Sequence, residues 1–329
     1  MTRLRQGSGT HGLLASWLAS PPPDAAIEIA PEAVSIAVLA GGSHPVLQGY
    51  VVQPIPAGAV VPSLTAGNIV DRAAVTGALE AAIEQLGVRP RRVALVVPDL
   101  SARVALVRFD HVPAKRDDLD QLVRWQVKKS APFPIDEAAL THWPGARDGA
   151  GGEFVVVLAR RAAIREYESA CEQAGMHAGL VDLATLSVVN LFLAADSPPS
   201  GDWLIVHMRP EATSIVIMRG ADLIFYRNRS EGDDDALTDV VHQTTMYYQD
   251  RLSGQGFTRV LLGGVGRTIG AAAVARRSLE ERLATPVEPI DPTRAAALTD
   301  RVQASPELMA ALAPLVGMLV RTQREMVGA

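Results

Sequence analysis

From Ala25 onward, short apolar runs alternate with turn residues, and a few longer stretches carry helical spacing. Ala25 to Ile29, Ala33 to Leu39 and Val46 to Val52 read as strands, with Gly41-Gly42 as a turn between the last two. Asp71 to Leu86 reads as an amphipathic helix stopped by Gly87, and Val93 to Val97 as a continuous buried strand. The same string recurs later in the chain. Trp203 to Met208, Thr213 to Met218 and Leu223 to Arg227 read as strands, with Arg219-Gly220-Ala221-Asp222 as a hairpin turn. A helix over Asp234 to Leu252 and a buried strand at Arg259 to Leu262 complete it.

The recurrence reaches individual residues. Pro31-Glu32-Ala33-Val34-Ser35-Ile36-Ala37-Val38 and Pro210-Glu211-Ala212-Thr213-Ser214-Ile215-Val216-Ile217 share five identities in eight positions, each in the first hairpin of its half. Small common residues match by accident often enough, but equivalent placement in two equivalent strings favours duplication. Two α/β halves, each a β-meander followed by a βαβ crossover, then face each other across a cleft.

Between the halves the pattern changes. Val104 to His111 reads as a strand, Asp117 to Lys129 as an amphipathic helix carrying Leu119, Leu122, Val123 and Val127, and Ala131-Pro132-Phe133-Pro134-Ile135 as a rigid extended stop. A strand at Phe154 to Leu158, a helix at Arg161 to Ala174, a strand at Ala178 to Val181 and a helix to Leu193 follow. The polar stretch Asp196 to Asp202 reads as a linker. The expected division is a flexible or amphipathic terminus (1–24), a first domain (25–199) with an insert at about 104–175, and a second domain (200–329). The last helix of the second domain is free to return to the first.

Composition narrows the function. Of 329 residues, 48% are hydrophobic and the net charge is only -5, which excludes a disordered chain. Cys171 is alone, so disulfide scaffolds and paired-cysteine zinc sites are excluded as well. A pI near 5.8 makes nucleic acid a poor first partner, despite the short basic patch Arg89-Pro90-Arg91-Arg92. No run reaches the roughly 18 to 20 apolar residues of a bilayer span. Leu13 to Ala19 is too short for one and reads as a docked or frayed terminal helix, and a cytoplasmic protein is expected.

A resemblance then enters on particular residues. Pro113 to Leu140, with Ser130-Ala131-Pro132-Phe133-Pro134-Ile135-Asp136-Glu137 at its helix end, resembles the corresponding stretch of the type IV pilus assembly protein family PilM. So do Val181-Asp182-Leu183, Ile224-Phe225-Tyr226-Arg227, Val260-Leu261-Leu262-Gly263-Gly264-Val265-Gly266 and the close from Pro306 to Val320. The resemblance implies a duplicated actin-like (ribonuclease H-like) two-domain fold with an inserted subdomain. It also implies a place at the cytoplasmic face of the inner membrane, reached indirectly through the N-terminal tail of a PilN-like membrane protein and alongside other pilus platform and motor proteins.

The actin-like fold would hold a nucleotide between the domains, on the first hairpin of each half. Such hairpins use glycine for close approach to phosphate and an aspartate for the water shell of Mg²⁺. Here Glu28-Ile29-Ala30-Pro31-Glu32 stands where the family usually has Asp-Ile-Gly, and Ser35 where a lysine is common. His207-Met208-Arg209-Pro210-Glu211, with Thr213 following, stands where Asp-x-Gly is expected. Pro31 and Pro210 delete an N–H donor, and Glu32 and Glu211 bring negative charge toward a polyphosphate. Gly263, Gly264 and Gly266 keep the nucleotide-side glycines, although a tight strand-to-helix turn accounts for them equally well. The expectation is a scaffold degenerate for ATP hydrolysis, with either no cofactor or weakly held ATP and Mg²⁺ touching Arg209 or Arg267. The alternative is an active ATPase or small-molecule kinase of the same superfamily, for which no catalytic base is identifiable.

Other patterns carry less. Gly7-Ser8-Gly9-Thr10-His11-Gly12 fits G-x-G-x-x-G by letter but follows no strand. The seven histidines show no metal-ligand spacing, no serine sits in a G-x-S-x-G elbow, and the acidic runs at Asp117-Asp118 and 231–235 read as solvated helix starts. The partner tail is expected on the insert, where Trp125 and Phe133 would anchor it and Arg124 and Lys128 would pair with its acidic groups.

Overall fold

The computed structural model describes residues 23–40, 45–195, 200–230, 237–264, 270–298 and 305–327. Gly7 to Gly12, Leu13 to Ala19, the Gly41-Gly42 turn, the acidic run at 231–235, Gly266 and Arg267 lie outside them. The first half contains β1 (Ala25–Ile29), β2 (Ala33–Ala40), β3 (Val46–Pro54), α1 (Arg72–Leu86), β4 (Arg92–Val97), β5 (Ala102–Phe109), α2 (Arg116–Lys128), β6 (Ala138–Asp148), β7 (Gly151–Arg160), α3 (Arg161–Gln173), β8 (His177–Leu183) and α4 (Ala184–Ala195). The second contains β9 (Asp202–Met208), β10 (Ala212–Arg219), β11 (Asp222–Ser230), α5 (Leu237–Leu252), β12 (Arg259–Gly264), α6 (Ala271–Leu283), β13 (Val287–Pro289), β14 (Ala297–Leu298) and α7 (Pro306–Val327).

The halves are built alike. One sheet has the order β14-β3-β2-β1-β4-β8 and the other β11-β10-β9-β12-β13. Apart from β14 the order is the same, with an antiparallel meander on one side of the first strand and parallel crossovers on the other. The repeated hairpin sits at matching positions, since Ile36 pairs with Ile27 and Ile215 with Val206.

Local chemistry sets the element ends. Asp71 caps α1 by accepting from the Ala74 amide at 3.0 Å, and Gly87 closes it at φ 73°, a backbone region that costs glycine little. Alternation along β9 divides the core. Trp203 and Ile205 point into the large cluster shared with the first sheet and the helices between the domains, whereas Leu204 and Val206 point to the outer cluster under α5 and α6. Cys171 is buried in the large cluster, and burial pushes its thiol up to about 12, so it packs as a small apolar group.

The helices α4 and α7 cross between the two sheets. They approach so closely at Gly317 that a Cβ there would lie 1.9 Å from the Ser187 carbonyl oxygen. Leu312, Leu315, Val316, Leu319 and Val320 of α7 join the first-half core. Arg321 of α7 donates to the Asp182 carboxylate on β8 at 2.8 Å, fixing the helix end to the strand.

The third sheet has the order β5-β7-β6. Its own small core joins Val107, Phe109, Phe154 and Val156 to Val123 and Val127 of α2. Tyr167, Ala170 and Cys171 of α3 are instead buried in the large cluster. The strand β6 is absent from the sequence reading because Pro144 and Gly145 look like a turn. The fold accommodates the proline at the outermost position of its sheet, where the register shifts between Pro144 and Arg147.

Candidate functional site

The two repeated hairpins meet across the cleft. Each is a tight turn with proline second: Ala30 N donates to Ala33 O at 3.0 Å, and Arg209 N donates to Ala212 O at 2.8 Å. Arg209 reaches from the second hairpin to donate to Glu28 Oε1 on β1 at 2.7 Å. The pair is shielded from water, with side-chain exposures of 13% for Arg209 and 3% for Glu28. Burial pushes the Glu28 carboxyl up to about 6 against the opposing pull of Arg209, which still leaves it ionised at neutral pH. Burial works against the charge on Arg209 too, but Glu28 and Glu211 outweigh it and raise its pKa. Both members are therefore charged.

Above this pair a small cavity of about 150 Å³ remains, lined by Glu28, Glu32, Ser35, Arg209, Glu211 and Glu307 among others. Four carboxylates and one guanidinium give it a negative balance. Glu211 is itself pushed up by burial, and its Oε2 has no hydrogen-bond partner among the described residues.

Beneath the hairpins, residues from both halves converge on one aspartate that the sequence reading does not single out. Asp99 follows the C-terminal end of β4 and is buried. It accepts from the Thr185 amide at 3.0 Å, from the Thr185 hydroxyl, and from the Ser214 hydroxyl at 2.7 Å. Because Thr185 donates to Asp99, its oxygen accepts from His207 Nδ1, which lies 2.8 Å away. Burial holds the His207 pKa down at about 3, so the ring is neutral, and its Nε2 has no partner among the described residues. The available signal for Asp99 is an acidic residue just beyond a buried parallel strand, the end at which α/β sheets place their ligands.

The structure gathers Glu28, Ser35 and Arg209 around the cavity, with His207 below them. Thr213 is half-buried and opposite Met208 in the second hairpin. Gly263 and Gly264 lie on β12 beside His207 and Met208. Packing alone requires both glycines: a Cβ at Gly263 would meet Ile290 at 2.4 Å, and one at Gly264 (φ 84°) would meet the Met208 carbonyl oxygen at 1.8 Å.

On the third sheet, the four residues expected to bind a partner do not share one hollow. Arg124 lines a groove with Asp120 and His142, whereas Trp125, Lys128 and Phe133 do not. Trp125 is 61% exposed, with Lys129 Nζ 5.6 Å from its ring centre. Phe133 is half-buried and Lys128 exposed.

Comparison with known proteins places this architecture. Among solved structures, the PilM-PilN type IV pilus biogenesis complex matches with a TM-score of 0.79 at 19% identity, covering 92% of this chain and 99% of that one. A Bacteroides thetaiotaomicron protein with an actin-like ATPase fold matches at 0.48, with 8% identity over 88% of this chain and 94% of its own. The cytoplasmic domain of EpsL, an inner-membrane component of the Vibrio cholerae type II secretion system, matches at 0.47, with 9% identity over 92% and 94%. No curated protein matches in sequence at a significant level. The family model described as type IV pilus assembly protein PilM matches residues 26–251, a span that takes in both repeated hairpins and the third sheet. With its two like-ordered α/β sheets, the chain belongs to the type IV pilus assembly protein PilM family.

Proposed function

We propose that this protein is a scaffold of the type IV pilus assembly platform that captures the N-terminal tail of a PilN-like membrane protein and does not hydrolyse ATP. The observation that carries this reading is the Arg209–Glu28 ion pair across the cleft. The site for a polyphosphate is occupied by the chain's own side chains. The remaining 150 Å³ is below the roughly 300 Å³ at which small-molecule pockets begin. The residues present do not fit Mg²⁺-nucleotide, since Glu32 and Glu211 repel phosphate and Pro31 and Pro210 offer it no N–H. The kinase alternative meets a further obstacle. Asp99, a buried aspartate near the hairpins, already accepts three hydrogen bonds and so is poorly placed to take a substrate proton.

With no chemistry assigned to the cleft, the working part is a surface. The fold likeness to the PilM-PilN complex supports a PilN-like partner, and Trp125 on α2 and Phe133 in the loop after it offer aromatic area beside the third sheet. None of the helices among the described residues is long and apolar enough to cross a membrane, which fits attachment at the cytoplasmic face through that partner. The test is a fluorescence-anisotropy titration of the N-terminal peptide of the membrane protein encoded beside this chain. Burying an aromatic anchor contributes a few kcal/mol and an exposed ion pair about 0 to 1 kcal/mol, so Phe133→Ala should weaken binding more than Lys128→Ala. If folded Phe133→Ala and Trp125→Ala proteins bind as tightly as the parent, the tail lies elsewhere.

A further inference from the structure

We propose that the groove between α2 and β6 is a second docking site, which takes an extended acidic segment of a partner protein laid along the outer edge of β6. The groove has a volume of about 490 Å³, and a smaller hollow of about 290 Å³ continues it past the β6 bulge around Arg147 and Phe154.

Its chemistry has three parts. The floor is apolar, made by Leu119, Leu140 and Phe154. The walls are cationic. Arg116 and Arg124 lie two turns apart on the same face of α2, and Arg147 stands on the strand side. No hydrogen bond or ion pair engages these three guanidiniums among the described residues. Asp120 lies between the two helix arginines, but His142 on β6 holds it at 2.6 Å, which leaves it less able to neutralise them. Glu153 is the other carboxylate lining the hollow.

The backbone adds a direction. β6 is the outermost strand in the order β5-β7-β6, and among the described residues no strand pairs with its other edge. Pro144 and the bulge interrupt this edge, but from Ala138 to Trp143 its pairing with β7 is regular, and an edge of that length can take up an extended segment by main-chain hydrogen bonding. An apolar floor with cationic walls beside a free edge suits a strand that alternates apolar and acidic side chains. A nucleic acid would use the guanidiniums but neither the floor nor the edge.

The probe is a fluorescein-labelled decapeptide of alternating aspartate and valine, titrated into the full chain by anisotropy. It should bind, bind more weakly as salt is raised, and lose at least tenfold in affinity in Arg124→Glu and in Arg147→Glu, while Arg251→Glu, at an exposed position on α5, leaves it unchanged. Melting curves confirm that each variant is folded. Inorganic phosphate at millimolar concentration should not displace the probe, and an alternating lysine-valine peptide should not bind. Trp125, Lys128 and Phe133 do not line the groove, and Arg147 takes no part in the tail-binding reading, so unlabelled membrane-partner tail should not displace the probe, and failure of tail capture leaves the Arg147→Glu result standing. Absence of probe binding, equal binding by folded Arg124→Glu and Arg147→Glu proteins, or displacement by a DNA oligonucleotide at lower concentration than by unlabelled decapeptide would overturn the proposal.

Discussion

Arg209 and Glu28 come from hairpins 181 residues apart, and each depends on the other to remain charged where water is excluded. Truncating one partner of a buried pair strands the other, at a cost of about 3 to 5 kcal/mol, so Arg209→Ala should lower stability by that order in chemical denaturation. The joint replacement Glu28→Gln with Arg209→Met should recover most of the loss. Glu28 also predicts a pH dependence. An acid whose pKa rises on folding keeps its proton in the folded chain after the unfolded chain has released it, so stability falls as pH rises through the interval. For Glu28 the interval runs from the ordinary 4.5 up to about 6. The parent should lose stability there more steeply than Glu28→Gln, with Glu211 and Asp182, both raised by burial, supplying the remaining slope. The altered hairpin residues are legible in the sequence, because Pro31, Glu32, Pro210 and Glu211 differ visibly from a phosphate loop. The partnership of Glu28 with Arg209 is not, since it depends on how two separate sheets face each other. Asp99 escapes for the same reason: its partners Thr185 and Ser214 come from different halves.

Duplication makes its own predictions at the level of elements. Ile36 and Ile215 occupy the same place in the second strand of each sheet and are both buried, so alanine at either should cost about 2 to 5 kcal/mol. Near-neutral melting shifts at both would contradict equivalent cores. Helix pairing supplies a sign reversal. In an exposed helix, glycine to alanine gains about 1 kcal/mol, but at Gly317 the added methyl would collide with the Ser187 carbonyl oxygen. Gly317→Ala should therefore lower the melting temperature by separating α4 from α7. Elements with clear ends or a continuous apolar run, such as α1 between Asp71 and Gly87 and β9, can be read directly from the chain. β6 cannot, because Pro144 and Gly145 carry turn chemistry and only a place at the edge of a sheet makes them compatible with a strand.

For the whole molecule, the two domains are joined at three levels. The helices α4 and α7 cross between the sheets, Asp99 ties Thr185 to Ser214 in the middle, and Arg209 reaches Glu28 at the mouth of the cleft. A nucleotide-dependent relative would use phosphates to bridge its hairpins, whereas here side chains make the bridge. On the proposed reading, the domain arrangement, and any partner surface that depends on it, is set without a nucleotide. The most direct test is the affinity of the neighbouring membrane protein's N-terminal peptide for the full chain, measured by fluorescence anisotropy with and without MgATP. The account predicts the same dissociation constant in both conditions; a peptide that binds only when MgATP is present, or at least tenfold more tightly with it, would contradict it.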